Sequence, residues 1–202
     1  MRVTAHSDAL PEPIRLLESF LEGAGTSVVR AAFQYSFFVD PQRVRERTPY
    51  FPERARMSRE HYPKGDRGDV RQWNGSEVHL GDNTSAQQAW RKYTGRPIAR
   101  GTGYGVRHIW GYPWDPFAFT AGWNLCYMPF WLGMLTEDQH PYPALVRAIQ
   151  QASFDLYFRD DPVCERPPYV TDPGVDLTAP LDDDAIRILR PEAKVRSLVQ
   201  NR

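Results

Sequence analysis

Residues 104–140 read YGVRHIWGYPWDPFAFTAGWNLCYMPFWLGMLTEDQH, and the assignment of this stretch decides the fold. In residues 104–110 the side chains alternate. Tyr104, Val106, His108 and Trp110 would share one face of a strand, and Gly105, Arg107 and Ile109 the other. Residues 111–121 are rich in turn formers. Residues 122–128 read as a second strand. Pro129 suits the first position of a helix, where its missing N–H has no intrahelical partner. That helix would carry Phe130, Trp131, Leu132, Met134 and Leu135, and stop before the His140-Pro141 pair. The order is strand, loop, strand, helix: a β-hairpin running directly into a helix. Its polar residues, His108 and Asn124 above all, have two readings. They carry chemistry, or they are hydrogen-bonded members of an aromatic core.

Working outward, residues 143–158 form the clearest amphipathic helix, with Leu145, Ile149, Ala152 and Leu156 as its stripe. Upstream, Asp82 or Asn83 caps a helix that runs to about Tyr93 and ends at Gly95, with Ala86, Ala89, Trp90 and Tyr93 on its inner face. The segment EVHL, 77–80, is a short strand. The stretch TGRPIARGTGYG lacks the Gly-Lys-Ser/Thr of a phosphate-binding loop and does not open a helix after a strand, so it reads as a flexible approach to the hairpin. Residues 11–22 carry Ile14, Leu17, Phe20 and Leu21 at helical spacing, and 26–39 read as a second helix ending at Asp40-Pro41. Residues 41–76, rich in Arg, Pro and Gly, read as irregular. After Arg159 the chain is mostly loop, with short helices from about Asp182 and after Pro191.

The 202 residues suit one domain with extended arms, and 41% hydrophobic and 13% aromatic content allows a sizeable core. Eighteen prolines and fourteen glycines argue against a pure helical bundle. The overall class is α+β. It divides into an N-terminal arm (1–80), a hairpin-helix core packed by flanking helices (81–160) and an acidic tail (161–202). Formal charge is zero, so net charge points to no partner. Locally the charges separate. Arg91, Lys92, Arg96, Arg100 and Arg107 occur without an acid between them, and residues 43–71 hold nine cations against five acids. Such a stretch is either a phosphate-binding surface or a solvated face. The two cysteines, Cys126 and Cys164, form no Cys-x-x-Cys, which excludes a zinc knuckle. Cys126 reads as a small core residue. No apolar leader stands at the start and no run is long enough to span a bilayer, so a cytoplasmic protein without membrane contact is expected.

The joined pattern of His108-Ile109, Asn124-Leu125 and Met128-Pro129 resembles the HNH, or ββα-metal, nuclease motif. In that family a His stands on the first strand, Asn-Leu opens the second, and the helix follows a hydrophobic-Pro pair. The segments LTED (135–138) and AQQAWRKYTGR (86–96) are also similar to parts of some members, and the resemblance covers roughly residues 83–158. It implies a DNA endonuclease, with RNA as a further substrate class, that uses one Mg²⁺ or Mn²⁺ as Lewis acid and template. His108 would be the general base and Asn124 would orient it. Two positions depart from the pattern. Arg107 occupies the place of a metal ligand before the base, and the helix proper carries no ligand. Glu137, His140 and Asp115 are then the nearest metal-ligand candidates, with Asp138 beside them. Arg107, Arg100 and Arg96 would contact phosphates. A double-strand cut at a symmetric site would need a homodimer, for which residues 1–60 are available.

The alternatives are a non-catalytic module that keeps the hairpin as a scaffold for nucleic acid or protein, and a structural interaction protein without nucleic-acid affinity. The aromatics Trp110, Trp114, Phe117, Phe119, Trp123, Tyr127, Phe130 and Trp131 should cluster as core around the hairpin, with Trp114 also placed to stack on a base. His6, His61 and His79 are isolated and receive no role.

Overall fold

The computed structural model describes residues 13–98, 101–137, 142–177 and 186–189. Among these the chain is α+β, with seven α-helices and two small sheets.

The helical layer begins with α1 (Pro13–Gly23) and α2 (Val28–Tyr35). Ser27 caps α2 by accepting from the N–H of Arg30 at 3.2 Å. The second expected helix is shorter than its periodicity suggests. Ser36 is extended, and Phe37–Val39 form strand β1 rather than a last helical turn. The aromatic and β-branched run Phe37-Phe38-Val39 gains strand partners on both sides, which outweighs continuing the helix.

Residues 41–76 are irregular only in part: 47–53 and 57–69 are turns and loop, and the rest forms one helix and the strands of a sheet. Asp40 accepts from the N–H of Gln42 at 3.0 Å and Pro41 opens α3 (Pro41–Glu46). Strands β2 (Arg54–Arg56), β3 (Val70–Trp73) and β4 (Ser76–Gly81) build one sheet in the order β2-β4-β3. The β3–β4 turn is Asn74-Gly75, both with positive φ (46° and 82°), the two-residue turn that matches strand twist.

Helix α4 (Thr84–Thr94) buries Ala86, Ala89, Trp90 and Tyr93, the inner face its spacing predicts. It closes on Gly95 at φ 68°, a left-handed cap that glycine adopts without steric cost.

The decisive stretch folds as β5 (Tyr104–His108), α5 (Pro116–Phe119), a 3-10 turn at Gly122–Asn124, β6 (Leu125–Pro129) and α6 (Phe130–Met134). Both strands are shorter than read from the sequence. The second starts at Leu125, because residues 122–124 turn inward and bury Trp123 and Asn124. β5 and β6 pair antiparallel with His108 opposite Leu125 and Arg107 opposite Cys126. On its other edge β6 pairs antiparallel with β1, and β1 pairs parallel with β7 (Arg187–Leu189), giving the order β5-β6-β1-β7. The tail thus contributes a strand. The helix expected from about Asp182 does not extend through Arg187–Leu189, which form this strand, and the one after Pro191 lies outside the described residues. Helix α7 (Pro143–Phe154) buries Leu145, Ala148, Ile149 and Ala152, then passes into a π-helical turn, Asp155–Arg159.

The main core runs from Val28 to Val170 and holds Phe33, Phe38, Trp90, Tyr93, Phe119, Trp123 and Tyr157, all essentially inaccessible. Each such side chain contributes roughly 1.5–3 kcal/mol of transfer free energy. Not all the hairpin aromatics join it. Phe117, Phe130 and Trp131 remain exposed at 55%, 51% and 39%. Among the described residues no helix is long and apolar enough to cross a membrane.

Candidate functional site

The site is assembled where β5 ends. The loop that follows must reverse and return to β6, and Asn124 holds it. Its Oδ1 accepts from the N–H of Trp110 at 2.8 Å. Its Nδ2 donates to the carbonyls of Gly111 at 2.9 Å and Ala118 at 3.1 Å. The side chain is wholly buried and every bond reaches the backbone of residues 110–118. The backbone adds a further bond, from the N–H of Ile109 to the carbonyl of Asn124 at 2.9 Å.

This clamp sets the environment of His108. Its Nε2 lies 3.0 Å from the carbonyl oxygen of Phe119, and its ring stacks on that residue at 5.6 Å between centroids. A carbonyl only accepts, so Nε2 carries the hydrogen and Nδ1 keeps the lone pair in the neutral ring. Burial pushes the imidazole down from its ordinary 6.5 to about 4; the Phe119 carbonyl opposes this, and the cations of Arg56 and Arg107 add to it. His108 is therefore neutral at pH 7, with Nε2 fixed by the Phe119 carbonyl.

Arg56 was not singled out from the sequence. It stands on β2, and its N–H donates to the carbonyl of Pro113 at 2.7 Å, tying the smaller sheet to the clamped loop. The usable signal is the alternation Arg54-Ala55-Arg56, in which Ala55 is buried and the arginines face the other way.

Arg107 packs its guanidinium against Gly133 of α6 and pairs with Glu137, with Nη1 to Oε1 at 2.6 Å. One phosphate-contact candidate is thus bound to one metal-ligand candidate. Asp115 caps α5: its Oδ1 accepts from the N–H of Phe117 at 2.9 Å, and its Oδ2 accepts from the hydroxyl of Tyr169 at 2.8 Å. Arg96 is exposed just beyond α4, and its N–H donates to Thr94 Oγ1 at 3.2 Å. Arg100, Asp138 and His140 lie outside the described residues.

Among the described residues no three His, Cys, Asp or Glu side chains gather as cation donors. Both oxygens of Asp115 and the carboxylate of Glu137 are already engaged. The described donors therefore do not fit a Mg²⁺ or Mn²⁺ site.

One face of Trp114 is covered. His61 stacks on it at 4.1 Å and 12°, and the His61 Nδ1 lies 3.0 Å from Ser58 Oγ. His61 therefore has a packing role that its isolation in the sequence conceals. Cys126 is fully buried, and burial pushes its thiol up to about 12, as for a core residue rather than a nucleophile.

A family described as "Uncharacterised protein PM1201" matches residues 79–165, the span that carries α4, the hairpin, α6 and α7. No curated protein and no solved structure matches the chain.

Proposed function

We propose that the chain is an endonuclease of the HNH-like hairpin type, hydrolysing phosphodiester bonds in DNA with His108 as general base. The observation that carries this reading is the pairing of a neutral imidazole, fixed at Nε2 by a backbone carbonyl, with an Asn clamp on the adjoining loop.

Nδ1 accepts a proton as water attacks phosphorus. One P–O bond forms and the ester P–O bond breaks. The departing oxygen takes a proton from the imidazolium or from solvent. Charge grows on the phosphoryl oxygens, and Arg56 is the cation near His108 able to offset it; Arg107 leaves β5 on the opposite face, toward α6, and would meet a neighbouring phosphate. A bound phosphate would also screen those cations from the ring, raising its basicity by the smaller, cationic part of the depression, while burial continues to hold it down. Arg107 must exchange Glu137 for the phosphate. The pair is exposed enough, at 29% and 53%, for that exchange to be inexpensive.

The second reading is a binding module that retains the hairpin without catalysis. The Arg107–Glu137 pair and the weak basicity of His108 favour it. Incubation with supercoiled plasmid separates the two, with Mg²⁺, Mn²⁺ or a chelator in parallel. Nicking by the wild type that is lost in Arg56→Ala/Arg107→Ala supports hydrolysis. Retention of plasmid without nicking under every condition supports the module instead.

A further inference from the structure

We propose that Arg47, Arg54 and Lys92, held over the rings of Tyr50 and Phe51, form a track for the sugar-phosphate backbone of a nucleic-acid strand that leads along β2 to His108.

The rings are a fixed platform. Tyr50 meets buried Tyr93 edge-on at 4.5 Å. Phe51 is tied by its N–H to Thr120 Oγ1 at 3.1 Å, and that hydroxyl lies 3.3 Å from the carbonyl of Phe51. Three cations converge on this platform. The guanidinium of Arg47 lies 5.4 Å from the Tyr50 ring and that of Arg54 lies 5.4 Å from the Phe51 ring. Lys92 Nζ stands 5.8 Å and 6.0 Å from the two rings. Ring faces attract each cation, but the cations repel one another. Glu53 Oε1, at 3.5 Å from Arg54 Nε, offsets only part of that charge. An anion seated between the cations would relieve the rest.

The position selects the anion. Ala55 is buried, so Arg54 and Arg56 project from the same side of β2. Thr120, which holds Phe51, follows Phe119, whose carbonyl holds His108. The cations therefore lie at the end of α3, on α4 and on β2, the strand whose Arg56 acts on the imidazole. The direction toward His108 rests on the nuclease reading above; the charge cluster does not.

The test uses the full chain carrying His108→Ala, with oligonucleotides, single-stranded and duplex, titrated across a salt series. Adding Arg47→Gln, Arg54→Gln and Lys92→Gln should flatten the slope of log K against log salt by roughly 2–3, at about 0.7 per phosphate contact on a single strand and about 0.9 on a duplex. Arg47→Gln/Lys92→Gln alone, which keeps the bond from Arg54 to Ser85 Oγ, should give roughly two thirds of that change. Equal removal of charge at Arg15, Arg30 and Arg147, on α1, α2 and α7, should leave the slope unchanged. A steep parental slope that the track variants do not alter overturns the track and leaves the nuclease reading standing. An equal change with polyglutamate in place of nucleic acid overturns the assignment of the partner. A parent that binds no nucleic acid overturns both.

Discussion

Asn124 Oδ1 accepts from the N–H of Trp110 at 2.8 Å, across the two ends of the loop that carries α5. Its amide nitrogen binds Gly111 and Ala118 in the same loop. Replacing it with Ala leaves the buried N–H of Trp110 without a partner and removes the donor to the carbonyls of Gly111 and Ala118, of which Ala118 still accepts from the N–H of Ala121, at about 1–3 kcal/mol for each group that water does not reach. Asn124→Ala should therefore lose about 2–4 kcal/mol of stability in urea denaturation. Asn124→Asp keeps the bond to Trp110 but sets a carboxylate against two carbonyls, so it should not recover the loss. A change under about 0.5 kcal/mol would mean that the loop holds itself.

His108 makes stability depend on pH. Its folded pKa, about 4, lies below the ordinary 6.5. Between these values the unfolded chain binds a proton that the native chain does not, so stability is complete above 6.5 and falls as pH drops toward 4. The contribution lost between pH 7 and pH 5 is about 2 kcal/mol. His108→Gln should be flatter than wild type by that amount in denaturation curves at the two pH values. Parallel curves would mean that the ring titrates normally.

Glu137→Gln separates two roles for the same side chain. It pairs with Arg107, and under the proposed function it withholds that guanidinium from phosphate. Its neutralisation should then tighten nucleic-acid binding and steepen the salt slope by about 1, with stability changed by less than about 1 kcal/mol. Had Glu137 been a metal ligand, the same variant would abolish metal-stimulated cleavage and leave the slope as it was.

Gly122 is required by space rather than by backbone angle. A Cβ there would stand 2.7 Å from Val44 Cγ2 and 3.0 Å from Tyr93 Cζ, both inside the core. Gly122→Ala should cost about 1–3 kcal/mol by overpacking, read as a lowered Tm. Gly23→Ala, whose Cβ meets nothing within 4 Å, should leave Tm near the wild-type value.

What was legible in the sequence was local. The strand at 104–108, the inner face of α4 and the stripe of α7 follow from period alone, although the five residues of that strand are all half-buried rather than alternating. The Asn74-Gly75 turn was equally local and equally readable, but the surrounding Arg, Pro and Gly masked it. Other features depend on contacts far apart along the chain. β1 is a strand because β6 and β7 flank it. Arg56 reaches the site because its N–H binds Pro113. Arg107 meets Glu137 because α6 folds back over β5. No spacing in the sequence encodes those meetings, so the site read from sequence held the imidazole, the amide and Arg107 but not Arg56 or the pairing of Arg107 with Glu137.

The central claim is that His108 takes the proton from attacking water. Single-turnover cleavage of a labelled oligonucleotide by wild type and by His108→Ala tests it most directly, with binding measured in the same samples. The account predicts a rate lower by 10²-fold or more in the variant, with Kd unchanged. Equal rates in the two proteins, or loss of binding that accounts for the whole loss of cleavage, would contradict it.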